Sequence, residues 1–279
     1  TDSGSTTVDW YFDLVSPFAF LQLNAFDRLP PGLKIAPKPV LLGAILSHWG
    51  QLGPAEIAPK RLHTYRLAQW LASERGVRFT MPERHPFNPL KALRMLAALG
   101  PDLQMVRRAF DFVFVEGRAP DSDEAIEDFC RYLMAPGSAT ELASEQAAKD
   151  RLRQLTDEAI GRGVFGVPTF HLDGELFWGD DATGMFVAYL NDRTLFRQGR
   201  MARLATLPVG SGWIWAPDLD MLKKVAFPRI KTLDTSATPK AGEMRIEPKT
   251  LAEVDVSAIR DALAVPEPEG KKGTEKITR

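Results

Sequence analysis

The chain has 279 residues, 44% hydrophobic and 25% charged, a balance that fits a globular protein with a sizeable core and disfavours disordered, collagen-like and coiled-coil chains. A formal net charge of -1 excludes a domain-wide basic surface, so we expect small-molecule ligands and neither nucleic acid nor an anionic membrane as partner. The single cysteine excludes an intramolecular disulfide, a Cys-x-x-Cys redox pair and a thiolate zinc cage, and without a signal-peptide pattern or a long apolar run the chain is expected to be cytoplasmic.

The first 40 residues predict a strand, a turn, a helix and a second strand. Residues 8–14 are aromatic and rich in β-formers, and a helix-compatible stretch, 18–29, follows Ser16 and a proline. Serine at the N-cap with proline at the first helical position is a preferred helix start, so we expect Ser16 at a helix N-terminus. Residues 33–40 predict the second strand, whose two prolines favour the edge of a sheet.

The middle of the chain, residues 41–161, predicts several short helices. Asn88 and the following proline open one helical segment, Gly100 and its proline close it, and Asp121 or Ser122 opens another. Cys130 falls on one helical face with three apolar residues, which indicates a core position rather than a nucleophile: Ile126, Phe129 and Leu133.

Residues 164–178 return to a strand pattern. Two apolar runs are joined by Asp173 and Gly174, a strong hairpin signal, and a helix is expected at about 181–190. This order of elements predicts an α/β protein with a thioredoxin-like domain and an all-helical insertion. The predicted boundaries are 1–40 and 162–204 for the thioredoxin-like domain and 41–161 for the insertion.

Residues 205–279 are predicted to be a C-terminal extension with a capped helix at 250–264 and a disordered tail. Trp213 and Trp215 suit an anchor, either onto the main body or onto a second subunit, and the sequence does not choose between these.

Three patterns that often mark functional sites do not indicate such a site in this chain. A Gly-x-Gly-x-x-Gly motif at 161–166 follows a helix and leads into a strand, the reverse of a dinucleotide-binding fingerprint, so we interpret its glycines as loop residues. No Gly-x-Ser-x-Gly elbow is present. The four histidines have no metal-ligand spacing, which argues against a metal site: His48, His63, His85 and His171.

Two distant features converge on one predicted cleft. In a thioredoxin-like chain the first strand-to-helix turn is the place of the redox cysteine, and here Ser16 occupies it, either as a functional hydroxyl or only as a helix cap. Pro168, just before the hairpin, is expected to be the cis-proline of such folds. Val167 would then offer its main-chain N–H and C=O to an extended peptide, whereas the alternative is a proline that merely starts a strand.

Three segments together resemble a known family. They read FDLVSPFAFL at 12–21, GPAEIAPKRLHTYRLAQW at 53–70 and GVFGVPTFHLDGELFWGDD at 163–181. They are similar to the 2-hydroxychromene-2-carboxylate isomerases and the related kappa-class glutathione transferases, over roughly residues 8–200. The resemblance implies a thioredoxin-like domain with a helical insertion, glutathione as cofactor, and a cytoplasmic homodimer.

The resemblance also implies roles for individual residues. Ser16 matches the catalytic serine that faces the glutathione sulfur, and Val167, before Pro168, matches the residue whose main chain pairs with the cysteinyl unit. Lys60 resembles a basic residue lining the site. The segment that would hold the γ-glutamyl end consists of Trp178, Gly179, Asp180 and Asp181, and the segment near the second substrate consists of Phe87 and Asn88. Departures from the family pattern are Ala182 in place of an arginine, and His63 and Phe87 where tyrosines are frequent.

The implied chemistry suits a hydroxyl at position 16. A thiol with a pKa of ~8.5 is only about 3% thiolate at pH 7, and hydrogen bonds to the charged form together with a helix N-terminus lower such a pKa by about one to two. Ser16 is then a donor to sulfur rather than a nucleophile.

Several alternatives stay open on the sequence alone. The first hypothesis is a glutathione-dependent isomerase of 2-hydroxychromene-2-carboxylate or hydroxybenzylidenepyruvate-type intermediates; the others are a transferase for electrophiles and a non-catalytic binding module. Lys60 either stabilises a developing enolate or is a solvated lysine. Asp180 and Asp181 either hold an ammonium group or cap the next helix.

Overall fold

The computed structural model describes residues 6–196, apart from the side chain of Thr140, and the main chain of 211–216 and 221–226. The chain divides into two units, Thr1–Thr206 and Leu207–Arg279.

A four-stranded mixed sheet with strand order β2-β1-β3-β4 lies at the centre of the first unit. Its strands are β1 (Thr7–Phe12), β2 (Lys34–Pro39), β3 (Thr169–Leu172) and β4 (Glu175–Trp178). β1 pairs in parallel with β2 and antiparallel with β3, and β3 pairs antiparallel with β4. The proline-containing strand is at an edge of the sheet, as predicted, because proline cannot donate to a neighbouring strand.

The described helices follow the predicted order. They are α1 (Pro17–Leu23), α2 (Leu42–His48), α3 (Ala58–Glu74), α4 (Leu90–Leu99), α5 (Leu103–Phe114), α6 (Asp123–Leu133), α7 (Ala139–Ser144), α8 (Gln146–Gly161) and α9 (Thr183–Asn191), with short 3-10 helices at Phe26–Arg28 and Pro54–Glu56. Helices α2 to α8 all lie between β2 and β3 in the chain. The α/β class with a helical block between strands is confirmed, while the domain boundaries at 40, 161 and 204 stay predictions.

Aromatic side chains join the helical block to the sheet. Phe110 on α5 contacts Phe12 and Trp10 of β1, with ring centroids 5.6 and 6.3 Å apart. Phe114, one turn later, lies 5.6 Å from Phe20 on α1. All five rings are buried in one core, so α5 fixes both the strand and the helix on either side of the first turn.

Two residues interpreted as structural from the sequence have that role here. Cys130 is buried on α6, and burial raises the pKa of its thiol, which makes it a poor nucleophile. Gly163, in the glycine-rich motif, has a φ of +84° in the loop after α8, a conformation that suits glycine.

The second unit contains an antiparallel hairpin of β5 (Ser211–Ala216) and β6 (Met221–Ala226), in the register Trp213↔Lys224. The sequence pattern does not predict this hairpin. The expected helix at 250–264 and the expected disordered tail lie outside the described residues. No helix in the described part of the chain is both long enough and apolar enough to cross a bilayer.

Candidate functional site

Ser16 lies in the turn that connects β1 to α1 and is only 6% exposed. It is the N-cap residue of α1, and its Oγ accepts a hydrogen bond from the N–H of Ala19 at 3.2 Å. No described residue accepts the O–H proton of Ser16. Since a hydroxyl accepts through its lone pairs and donates through its proton, capping the helix leaves Ser16 able to donate to a ligand.

The segment before β3 lies at the same end of the sheet as Ser16. Tyr11 of β1 pairs with Thr169 of β3, so the end of β1 and the start of β3 are neighbours. The Val167–Pro168 peptide is cis, as predicted, and the carbonyl of Pro168 accepts from the N–H of Gly179 at 2.8 Å. Within the described residues the main-chain N–H and C=O of Val167 have no hydrogen-bond partner. An unpaired donor and acceptor on one residue form an edge to which an extended peptide can pair.

Gln22 ties α1 to the loop between β4 and α9. Its Oε1 accepts from the indole N–H of Trp10 at 2.7 Å, and its Nε2 donates to the carbonyl of Gly179 at 2.8 Å and to Thr183 Oγ1 at 3.1 Å. The side chain is fully buried. Gln22 therefore fixes the loop beside Pro168 relative to the helix that carries Ser16.

Asp180 is held by an arginine that the sequence analysis did not select. The Nη1 and Nη2 atoms of Arg75 lie 2.8 and 2.5 Å from the two carboxylate oxygens of Asp180. Arg75 is the C-cap residue of α3, and the side chain of Asp180 is 6% exposed. The carboxylate of Asp180 is thus already neutralised, whereas that of the next residue, Asp181, is exposed.

The side chains of other residues lie across the main chains of Gly179 and Gly166. Gly179 has a φ of +96°, and a Cβ there would overlap the carboxylate of Asp181, which folds back over it. A Cβ on Gly166 would lie 2.5 Å from the indole nitrogen of Trp178. The Trp178 side chain, 52% exposed, therefore forms a wall beside the segment that leads to Val167.

A histidine and a tyrosine support the Ser16 turn from the helical block. The Nε2 of His85 lies 2.7 Å from the carbonyl oxygen of Val15, and its Nδ1 lies 2.9 Å from the hydroxyl of Tyr65 on α3. Burial lowers the pKa of His85, and because a carbonyl oxygen can only accept, Nε2 donates to Val15. From the sequence alone His85 is only a histidine without metal-ligand spacing.

Asp13 holds the N–H of Val15, the residue whose carbonyl His85 binds. Its carboxylate accepts from the N–H of Val15 at 3.0 Å and from the N–H of Leu42 at 2.9 Å, and its own carbonyl accepts from the N–H of Ser16 at 3.0 Å. Asp13 is fully buried, and burial raises the pKa of its carboxyl to about 7. Val15 is therefore held through its N–H by Asp13 and through its C=O by His85.

The remaining predicted residues lie on the helical block. Lys60 is exposed near the start of α3 and has no hydrogen bond or ion pair within the described part of the chain. Phe87 is buried, and its ring lies 6.0 Å from that of His85. Asn88 is exposed and accepts from the N–H of Leu90 at 3.1 Å. Their ligand contacts stay predictions, although Phe87 lies next to the support of the Ser16 turn.

Comparisons with known proteins give the family of the chain and its similar structures. A family model described as the DSBA-like thioredoxin domain matches residues 7–191. A 2-hydroxychromene-2-carboxylate isomerase of Pseudomonas putida is 31% identical over 181 residues, which span 62% of this chain and 89% of that protein. A glutathione S-transferase kappa 1 of Rattus norvegicus is 24% identical over 208 residues, 67% of this chain and 91% of that protein. A solved structure of 2-hydroxychromene-2-carboxylate isomerase is similar with a TM-score of 0.58 and 26% identity, covering 67% of this chain and 95% of that one.

Proposed function

Because the chain belongs to the DSBA-like thioredoxin family, we propose that it is a glutathione-dependent isomerase of 2-hydroxychromene-2-carboxylate or a similar hydroxybenzylidenepyruvate-type aromatic intermediate. The observation that carries the proposal is that the unpartnered main chain of Val167 and the unused O–H donor of Ser16 lie at the same end of the sheet. The isomerase relatives and the kappa transferase relative support it.

The residues of this cleft fit glutathione chemically. Val167 offers one N–H and one C=O, the pair that the main chain of a cysteinyl residue needs. A sulfur held there would lie at the side of the sheet where Ser16 begins α1, and a serine O–H with a helix N-terminus favours an anionic sulfur. The exposed Trp178 covers apolar ligand surface beside this edge.

Each residue then has a role that follows from its position. The chemistry that glutathione supplies when bound is reversible addition of a thiolate to a conjugated double bond, which permits rotation about the resulting single bond. Ser16 donates its O–H to sulfur and increases the thiolate fraction at neutral pH. On the helical block, Lys60 is a candidate to line the glutathione site and to stabilise a developing enolate, and Phe87 and Asn88 are the candidates to bind the aromatic substrate. Asp13 and His85 hold the N–H and the C=O of Val15, so that the hydroxyl of the next residue keeps its direction.

Turnover with glutathione tests the proposal. The full chain is incubated with 2-hydroxychromene-2-carboxylate, with and without glutathione, while isomer conversion and free thiol are both followed. We expect conversion only with glutathione and a constant thiol concentration. Falling thiol in step with conversion would identify the alternative, a conjugating transferase like the kappa relative. Glutathione binding without conversion of this substrate or of an electrophile would favour a non-catalytic module.

A further inference from the structure

The loop after β4 lacks a cation of its own. Residues 178–184 read WGDDATG and contain two aspartates but no lysine, arginine or histidine. The γ-glutamyl end of glutathione is a zwitterion, with an α-ammonium and an α-carboxylate on one carbon. A loop that supplies only carboxylates attracts the α-ammonium and repels the α-carboxylate.

Arg75 brings a guanidinium to this loop from the end of α3. It holds Asp180 through one N–H on each of two nitrogens, at 2.8 and 2.5 Å. A guanidinium has five N–H donors, and no other described residue accepts from those that remain. The side chain of Arg75 is 23% exposed, against 6% for its partner. The pair therefore keeps unused donors at the surface of the loop.

The second carboxylate of this loop belongs to the residue after Asp180. Asp181 follows Asp180 in the chain, is exposed, and folds back over Gly179 toward the segment that pairs with Pro168. The loop thus carries one guanidinium, bound to Asp180, and one exposed carboxylate on the next residue, and a cation and an anion together are complementary to the two charges of an amino acid head group. Gln22 and Thr183 hold the loop main chain, which keeps this arrangement in place.

We infer that Arg75 binds the α-carboxylate of the γ-glutamyl group, while Asp181 accepts its α-ammonium and Asp180 positions Arg75. The inference rests on the proposed function and makes Asp180 a positioning residue rather than a ligand of glutathione. Arg75 supplies from α3 the cation that, in the family pattern, follows Asp181 in the loop and is replaced here by Ala182.

The test compares two peptides by calorimetry on the full chain. Glutathione is measured against 4-aminobutanoyl-cysteinyl-glycine, which lacks only the α-carboxylate. We expect the wild-type protein to prefer glutathione by about tenfold to a hundredfold, the range for a hydrogen bond between charged groups. Glutaryl-cysteinyl-glycine, which lacks only the ammonium, is the corresponding probe for Asp181.

Two variants isolate Arg75. The double substitution Arg75→Gln with Asp180→Asn removes both charges together, so no buried carboxylate is left unpaired. We expect its preference for glutathione over the truncated peptide to fall below about threefold. Asp180→Asn alone keeps the guanidinium and should keep a preference of about tenfold. Arg193→Gln is the control, because Arg193 pairs with Asp173 at the opposite end of β4, and it should leave the preference unchanged.

The outcomes separate this inference from the proposed function. Saturable glutathione binding with a preference that the double substitution does not alter would overturn the role of Arg75 and leave the proposed function standing. A wild-type protein that binds neither peptide would overturn both. If the double variant does not fold, Arg75→Lys replaces it, since an ammonium cannot serve two carboxylates as a planar guanidinium does. The preference should then fall at least about threefold, and an unchanged preference would overturn the inference.

Discussion

At the scale of single residues, the Ser16 hydroxyl combines two functions on one oxygen. Its lone pair accepts from Ala19 and caps α1, and its proton has no acceptor among the described residues. The alternatives of helix cap and thiol ligand, both left open by the sequence, are therefore compatible. A change at this position affects helix stability and ligand chemistry separately, and the two can be measured apart.

Ser16→Ala is expected to raise the pKa of the bound glutathione thiol by about one to two, because a donor to the thiolate worth ~1.5 to 3 kcal/mol is lost. Ultraviolet thiolate absorbance during a pH titration measures this. Loss of the cap should also lower the free energy of unfolding by about 1 kcal/mol. Ser16→Thr keeps an O–H and is the control. A thiol pKa equal to that of the wild type in the alanine variant would contradict the role.

Asp13 gives the protein a distinct pH dependence. Burial outweighs the two N–H donors and raises the carboxyl pKa from an ordinary 3.8 to about 7, so the folded state binds this proton more tightly than the unfolded state. The associated stability is fully present below about pH 4 and is lost as pH rises to about 7.

Urea unfolding at a series of pH values tests this behaviour. Between about pH 4 and 7 the wild-type free energy of unfolding should fall more steeply than that of Asp13→Asn, by up to about 1.36 kcal/mol per pH unit. The asparagine variant should be less stable than the wild type at low pH. Its amide NH₂ faces one of the two main-chain N–H groups that donate to Asp13, and an NH₂ cannot accept a hydrogen bond. Parallel pH profiles for the two proteins would count against a raised pKa.

At the scale of elements, Gln22 connects α1 to the loop before α9. Gln22→Leu leaves the indole N–H of Trp10 buried without an acceptor and frees the carbonyl of Gly179. We expect a loss of about 1 to 3 kcal/mol in unfolding free energy and weaker glutathione binding, because the loop is no longer fixed. Denaturant titration and calorimetry measure these.

Asn24→Ala is the matched control for Gln22. Asn24, just after the last turn of the same helix, donates to Phe20 rather than to the loop. It should cost stability but leave glutathione affinity at the wild-type value. Equal losses of affinity in both variants would mean that the effect comes from α1 as a whole.

The elements that the sequence predicts are those encoded by neighbouring residues. The hairpin at Asp173 and Gly174 is found with φ values of 54° and 86°, as a tight turn of that dipeptide requires. The sequence does not predict the β5–β6 hairpin, because Trp213 and Trp215 suit an anchor and give no turn signal of their own. Arg75 was missed for a different reason: 105 positions separate it from Asp180, and only the packing of α3 brings them together.

At the scale of the whole molecule, the helical block and the sheet share one aromatic core. Phe110→Ala is expected to cost about 3 to 5 kcal/mol, the range for removing a buried phenylalanine ring. Hydrogen exchange in increasing urea should show β1 and α5 losing protection together, because neither buries its rings alone. Leu62→Ala, at an exposed position on α3, is the control and should change stability by less than about 0.5 kcal/mol. Loss of protection in α5 before β1 would indicate separate cores.

The unpartnered main chain at Val167 has a consequence for cofactor choice. Backbone atoms are the same in every residue, so this edge accepts any extended thiol peptide and contributes nothing to discrimination among them. If the protein binds glutathione as proposed, selectivity among thiol peptides comes from the charges at positions 75 and 181, outside the residues that act on sulfur. Substitution of the side chains at these two positions is expected to change which low-molecular-weight thiol the protein binds, while the residues that act on sulfur stay the same.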